Sequence, residues 1–239
     1  MIVAAAVCPH PPLLFRELSG LEDVAGDLRE ACLSAIASAT SDDPDLVVVV
    51  GGAEVTRRWD ERLAPDVAKF GTTGARSAGS GLPLSLGVAR RLLDESRWRG
   101  AVELHSIAWD APADEVTSLA DKIAARDDSI ALLALGDGSA RRGDKAPGYV
   151  DARAFPFDEA TGRALADGDT DALTQMDAAL AEELMVGGRA AFAVMATAVH
   201  RTVGNKAVVH EKGAKPRATV LYQDDPWGVM YYVATWQLR

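Results

Sequence analysis

Two cysteines in 239 residues, Cys8 and Cys32, are too few for a disulfide framework and too far apart for a Cys-x-x-Cys metal pair. Both are read as free thiols of a reducing compartment. Basic residues are also short: 25 Lys and Arg against 35 Asp and Glu leave a formal charge of -10. Such a body repels nucleic-acid phosphates and anionic lipid unless a local basic patch overrides it, and the only clusters are the pairs Arg57-Arg58, Arg90-Arg91 and Arg141-Arg142. No uncharged apolar run approaches the ~18 residues that a membrane span needs. The apolar start, Ile2 to Val7, lacks a basic leader and runs straight into Pro9-His10-Pro11-Pro12, unlike a signal peptide. The expected address is the cytoplasm, with a small molecule as partner, neither nucleic acid nor membrane, and a homo-oligomer left open. Repeats, linkers and low-complexity tracts are absent, so residues 1–239 are read as one domain. At 48% hydrophobic and 25% charged residues, the chain has the composition of a well-cored globular protein.

What is present alternates between strand and helix. Ile2 to Cys8 is short, apolar and closed by prolines, as a buried strand is. Ser19-Gly20-Leu21-Glu22 has the spacing of a capping box, and Leu21, Val24, Leu28, Cys32, Ile36 and Ala39 follow at helical intervals. Leu46 to Val50 is a second strand ended by Gly51-Gly52. Helices are expected over Ser85 to Asp94 and Pro112 to Ala125, strands over Ala101 to Ala108 and Ile130 to Leu135. Helical patterns cover Phe157 to Ala166, Asp171 to Val186 and Arg189 to Val199, with Gly187-Gly188 between the last two. Gly71 to Gly81 and His200 to Arg217 read as loops, and Ala218 to Tyr222 with Val229 to Leu238 as a closing hairpin. The fold class is therefore α/β: a mostly parallel or mixed central sheet flanked by helices, with a C-terminal antiparallel hairpin.

In open α/β sheets, ligands gather beyond the carboxyl ends of the strands. That selects the loops at Cys8 to Pro12, Gly51 to Arg58, Trp109-Asp110 and Gly136 to Arg142. His10 stands among prolines that fix its backbone, which suits either an imidazole held toward a metal or substrate, or a histidine tied into a tight turn. The Gly136-Asp137-Gly138-Ser139 turn can aim amide groups at an anion, with Arg141, Arg142 and Lys145 reinforcing it. Alternatively it is a plain glycine turn whose basic residues pair with Asp144 and Asp151. It matches neither the phosphate-binding G-x-x-x-x-G-K-[ST] loop nor the G-x-S-x-G elbow. His105 reads as a core histidine, His200 and His210 as surface, and Trp227, Tyr231, Tyr232 and Trp236 as core aromatics.

Val7-Cys8-Pro9-His10-Pro11-Pro12-Leu13-Leu14 and the Gly-Asp-Gly-Ser turn together resemble the class III extradiol ring-cleavage dioxygenase superfamily, its B-subunit-like members in particular. The order of features agrees along nearly the whole chain, Phe157-Asp158 and Gly187-Gly188 included. The resemblance implies a single α/β domain and cleavage of catechol-type rings by dioxygen at a non-haem Fe(II) held by two histidines and a carboxylate. The first histidine matches His10. The second falls near Gly51-Gly52-Ala53, where Glu54 is the nearest side chain able to ligate. The catalytic histidine of the later turn falls at Ala140, which cannot move a proton, and Asp224 or Asp225 stands where a carboxylate ligand could.

The resemblance thus implies a degenerate iron site: His10, Asp137 and Ser139 as catalytic candidates, Cys8, Glu54, Gly136, Gly138 and Arg141 as ligand-binding ones, and His10, Glu54 and Asp225 as what remains of a metal set. The leading expectation is a dioxygenase-like protein binding a small polar or anionic ligand, with Fe(II) as cofactor only if the metal site works. The alternatives are an active Fe(II) oxidoreductase with a rearranged set such as His10, Glu54, His105 and Asp225, and an interaction or scaffold protein.

Overall fold

The computed structural model describes residues 1–70, 81–206 and 215–238, without the side chains of residues 205 and 206. Seven strands, β1 (Ile2–Cys8), β2 (Leu46–Ala53), β3 (Arg57–Trp59), β4 (Ala101–Ala108), β5 (Ile130–Leu135), β6 (Arg217–Asp224) and β7 (Tyr231–Gln237), form one sheet in the order β3-β4-β2-β5-β1-β7-β6. The four inner strands β4, β2, β5 and β1 run parallel. β3, β7 and β6 each pair antiparallel with their neighbours, which makes the sheet mixed.

The continuous apolar runs take the centre because a parallel strand covered by helices on both faces has no polar side. β1, β2 and β5 are buried along their whole length. Alternate residues point to opposite faces. Val47 and Val49 join the core under α1 (Gly26–Ala39) and α2 (Leu84–Glu95). Val48 and Val50 join the core under α3 (Ala113–Ala124) and the long last helix, Arg189–Lys206. That helix carries Ala190 to Ala196, Ala198 and Val199 all buried, as expected of a helix that is apolar nearly all round. Among the described residues, no helix is long and apolar enough to cross a membrane.

Several boundaries differ from the sequence reading. The first helix starts at Gly26, not at the Ser19 capping box, and Leu21 is fully exposed. The Ser19 hydroxyl donates instead to Leu13 O at 2.9 Å. Buried Arg29 donates to the carbonyls of Leu13 and Leu14 and pairs with Asp23, which folds residues 12–23 back as turns over the helix start. The second strand runs through Gly51-Gly52 to Ala53 and does not stop at Val50. The pattern from Asp171 to Val186 splits into α5 (Thr170–Thr174) and α6 (Ala178–Glu183), because Asp169 and Asp177 each accept an amide hydrogen bond as N-caps and so start separate helices. With α4 (Ala154–Asp167) before them, the last helix is α7. It continues past Val199, so His200 lies on an exposed helical surface rather than in a loop. The short edge strand β3 falls inside what reads as a loop. The segment 71–80 and His210 lie outside the described residues.

Candidate functional site

The parallel strands bring the selected loops to one edge of the sheet, and hydrogen bonds fasten them together. Gly136 N donates to Cys8 O at 3.0 Å, and His10 N donates to Asp137 Oδ1 at 2.8 Å. The start of α7 closes over them, and only glycine allows the approach. A Cβ at Gly52 would lie 2.8 Å from Gly187 O and 2.7 Å from the Trp109 ring. One at Gly136 would lie 2.3 Å from the Gly188 Cα. The glycines that read as strand endings are thus the contact between strand ends and helix.

His10 is nine-tenths buried here. Its Nδ1 lies 3.5 Å from Asp137 Oδ1, has no access to solvent and has no hydrogen-bond partner among the described residues. The Cε1–Nε2 edge of the ring faces Gly187, where a Cβ would stand 3.4 Å from Cε1 and 3.7 Å from Nε2. Burial pushes the Asp137 carboxyl above its ordinary value, against the pull of the His10 charge and of the His10 amide.

His10 lines a cleft of about 540 Å³ together with Glu54, Arg57, Trp59, Lys69 and Trp109. Its outer wall is the turn between β2 and β3, held by side chains that cross to β4. Thr56 Oγ1 accepts from Ala108 N at 2.8 Å, Ser106 Oγ donates to Val55 O at 2.6 Å, and Trp59 Nε1 donates to Ser106 Oγ at 2.8 Å. The Arg57 guanidinium stacks 3.5 Å above the Trp59 ring, which fixes its direction. Neither Arg57 nor Lys69 forms an ion pair among the described residues. The sequence places Arg57 in a basic pair within a selected strand-end loop without giving it a role, and it does not single out Lys69.

The remaining candidates lie elsewhere. Ser139 is fully buried, and its amide and hydroxyl both donate to Asp158. The amides of Gly138, Ala140 and Arg142 donate to the carbonyls of Met230, Leu184 and Gly228. Five amides of the turn, those of Gly136, Gly138, Ser139, Ala140 and Arg142, are thus engaged within the protein, where they join the end of β5 to β1, α4, α6 and the C-terminal strands. Arg142 pairs with Asp158 at 3.3 Å and with Asp225, not with Asp144 or Asp151. Asp225 is thus engaged by an arginine, and it is not among the residues that line the cleft of His10. Cys8 is fully buried on the α1 face, beside Cys32, whose thiol is raised well above its ordinary value by burial and then by the neighbouring Cys8, so that the Cys32 sulfur is not a ready nucleophile. Arg141 packs beside Gly148 and Met185, with a buried Nε that has no hydrogen-bond partner among the described residues. His105 is not sealed in the core: it sits at the β3 side of the sheet, 3.3 Å from Glu103, which also pairs with Arg58 and Arg126. Tyr231, Tyr232 and Trp236 are core, as read, whereas Trp227 is only partly buried, packed against the edge of that core with its ring 5.7 Å from Tyr231.

The donor set does not fit an Fe(II) centre of the kind the resemblance implies. His10 and Glu54 share the cleft, but Asp225 is engaged by Arg142 and His105 by Glu103. Among the described residues, no group of three or more His, Cys, Asp or Glu side chains is arranged to hold a metal ion.

No family model matches the sequence, and no curated protein matches it. Among solved structures, the chain is similar to an uncharacterized protein, JW3007 from Escherichia coli K12, at 16% identity and a TM-score of 0.53, over 99% of this chain and 100% of that one. At that identity, the likeness shows that the two chains share a fold.

Proposed function

We propose that this chain is a class III extradiol dioxygenase-like protein, of the B-subunit-like kind, that binds a small anionic ligand in the His10 cleft and works without an Fe(II) centre. The observation that carries the reading is the burial of the His10 ring beside Asp137 in a cleft whose cations, Arg57 and Lys69, have no anionic partner among the described residues. The aromatic and apolar lining, Trp59, Phe70, Leu63 and Trp109, suits a flat organic body carrying the anion. In this reading Arg57 meets the anionic group. His10 Nε2 exchanges a proton with the bound ligand, and Asp137 positions the ring from the Nδ1 side.

Two measurements test it. Protein exposed to Fe(II) without oxygen and then desalted is expected to keep far less than one iron per chain, because lost inner-sphere ligands remove both affinity and geometry. One tightly held iron per chain would overturn the iron-free reading. Calorimetric titration with benzoate, a minimal flat anion, is expected to saturate, and Arg57→Ala to weaken it by about tenfold. Equal affinity in that variant, or in His10→Ala, would remove the cleft from the reading.

A further inference from the structure

We infer that a second chamber, on the other side of Trp109, binds an organic cation: an amine or quaternary ammonium on an apolar body. The chamber measures about 790 Å³, within the range of small-molecule sites, and shares Glu54 and Trp109 with the His10 cleft. Its far wall is α6 and the turn after it, with Ala178, Ala181, Met185 and Val186 as apolar surface.

Charge and geometry select the ligand. Among the described residues, Arg189 is the only cation in the lining, and its Nη2 donates to Trp109 O at 2.9 Å and to Ala111 O at 3.0 Å. The guanidinium is thereby turned to the protein backbone. Glu54, Asp110 and Glu182 also line the chamber, and none of the three forms an ion pair among the described residues. The lining therefore has an excess of negative charge, where the His10 cleft has Arg57 and Lys69.

Trp109 supplies the surface a cation would sit on. Its backbone is fixed at both ends, with N donating to Ala53 O at 3.1 Å and O accepting from Arg189. Its indole lies on Gly52, so closely that a Cβ there would be 2.7 Å away, yet half of the residue remains exposed. A preset indole face flanked by carboxylates attracts a cation through the ring quadrupole and through Coulomb forces together, and repels a carboxylate. Met185 closes the rim. Its backbone has φ +57°, a left-handed conformation uncommon outside glycine, and the residue is 45% exposed, with its sulfur packed over Gly148. A flexible, partly exposed methionine at a cavity mouth is an adaptable contact for an apolar body. This inference does not rest on the ligand proposed for the His10 cleft, since the two chambers have opposite charge.

Titration calorimetry of the full chain with benzyltrimethylammonium tests it, with benzyl alcohol and benzoate as neutral and anionic controls. The cation is expected to bind saturably at millimolar concentration or below, at least about tenfold more tightly than benzyl alcohol. The exposed double variant Asp110→Asn, Glu182→Gln is expected to weaken the cation about tenfold without lowering the melting temperature, and Arg57→Ala to leave it unchanged. Trp109→Phe should retain most of the affinity that Trp109→Ala loses. No saturable heat with the cation, equal binding of benzyl alcohol, or undiminished affinity in the double variant would each overturn the inference. Loss of benzoate binding alone would count against the His10 cleft and not against this chamber.

Discussion

Asp158→Ala is expected to lower the unfolding free energy by about 3–5 kcal/mol, measured by urea denaturation at neutral pH. Asp158 has no exposed surface, and its carboxylate takes the Ser139 amide at 2.9 Å, the Ser139 hydroxyl, and Arg142 at 3.3 Å. Alanine would leave two buried donors of Ser139 without an acceptor and Arg142 with Asp225 alone. Asp158→Asn separates shape from charge. Burial, outweighing Ser139 and Arg142, holds the native Asp158 carboxyl above its ordinary value of 3.8. The native state then binds this proton more tightly than the unfolded chain does. The stability it contributes is present below the ordinary carboxylate pKa and is lost as pH rises through the raised native value. The stability of the wild type relative to Asp158→Asn should therefore fall as pH rises across that window. A difference that stays flat or grows would show that the ion pair, and not burial, governs this carboxyl.

The fold is legible where one physical requirement dominates. The strand bounds Ile130–Leu135 match the sequence reading because an unbroken apolar run of strand length, closed by turn residues, has no other way to bury itself, and those of Ala101–Ala108 match although Glu103, His105 and Ser106 interrupt that run. Failures cluster where a distant partner decides. Leu21 and Val24 continue the helical spacing of α1, but the carbonyls of Leu13 and Leu14 engage Arg29, and local periodicity holds no information about that contact. Gly51-Gly52 reads as a strand end because glycine usually breaks strands. Here it stays in the strand because Ser85, Trp109 and Gly187 occupy the space its side chains would fill.

The candidate site is legible in the same measure. The rule that ligands gather past strand ends selects His10, Glu54, Trp109 and Asp137, which meet at one edge, and His10 and Asp137 are in contact. It also selects Ser139, whose exposure no spacing reveals: only the position of Asp158 in the fold shows the serine to be an internal tie. Arg57, noted only as one of a basic pair, and Lys69 receive no role for the opposite reason. Surface arginines and lysines are common, and only the stacking on Trp59 and the neighbouring cleft distinguish Arg57 from the rest.

Gly136→Ala and Gly204→Ala make the same chemical change and are expected to move stability in opposite directions. At Gly136 the new methyl would stand 2.3 Å from the Gly188 Cα and 2.9 Å from the Phe192 ring, and the Gly188 backbone cannot yield as a flexible side chain would. α7 must lift from the ends of β5 and β2, at a loss of about 3 kcal/mol. Gly204 lies near the end of the same helix, and a methyl there would find nothing within 4 Å among the described residues. Alanine at this position only restricts the unfolded chain and improves helix propensity, a gain of about 0.4–1 kcal/mol. Denaturation of both variants checks the pair, and benzoate titration of folded Gly136→Ala extends it. Gly187 lies against the His10 ring, so a displaced α7 start should weaken benzoate as well as the fold, while Gly204→Ala binds it as the wild type does. Loss of stability with undiminished benzoate affinity would mean that His10 keeps its place without the helix, and that Asp137 alone sets the ring.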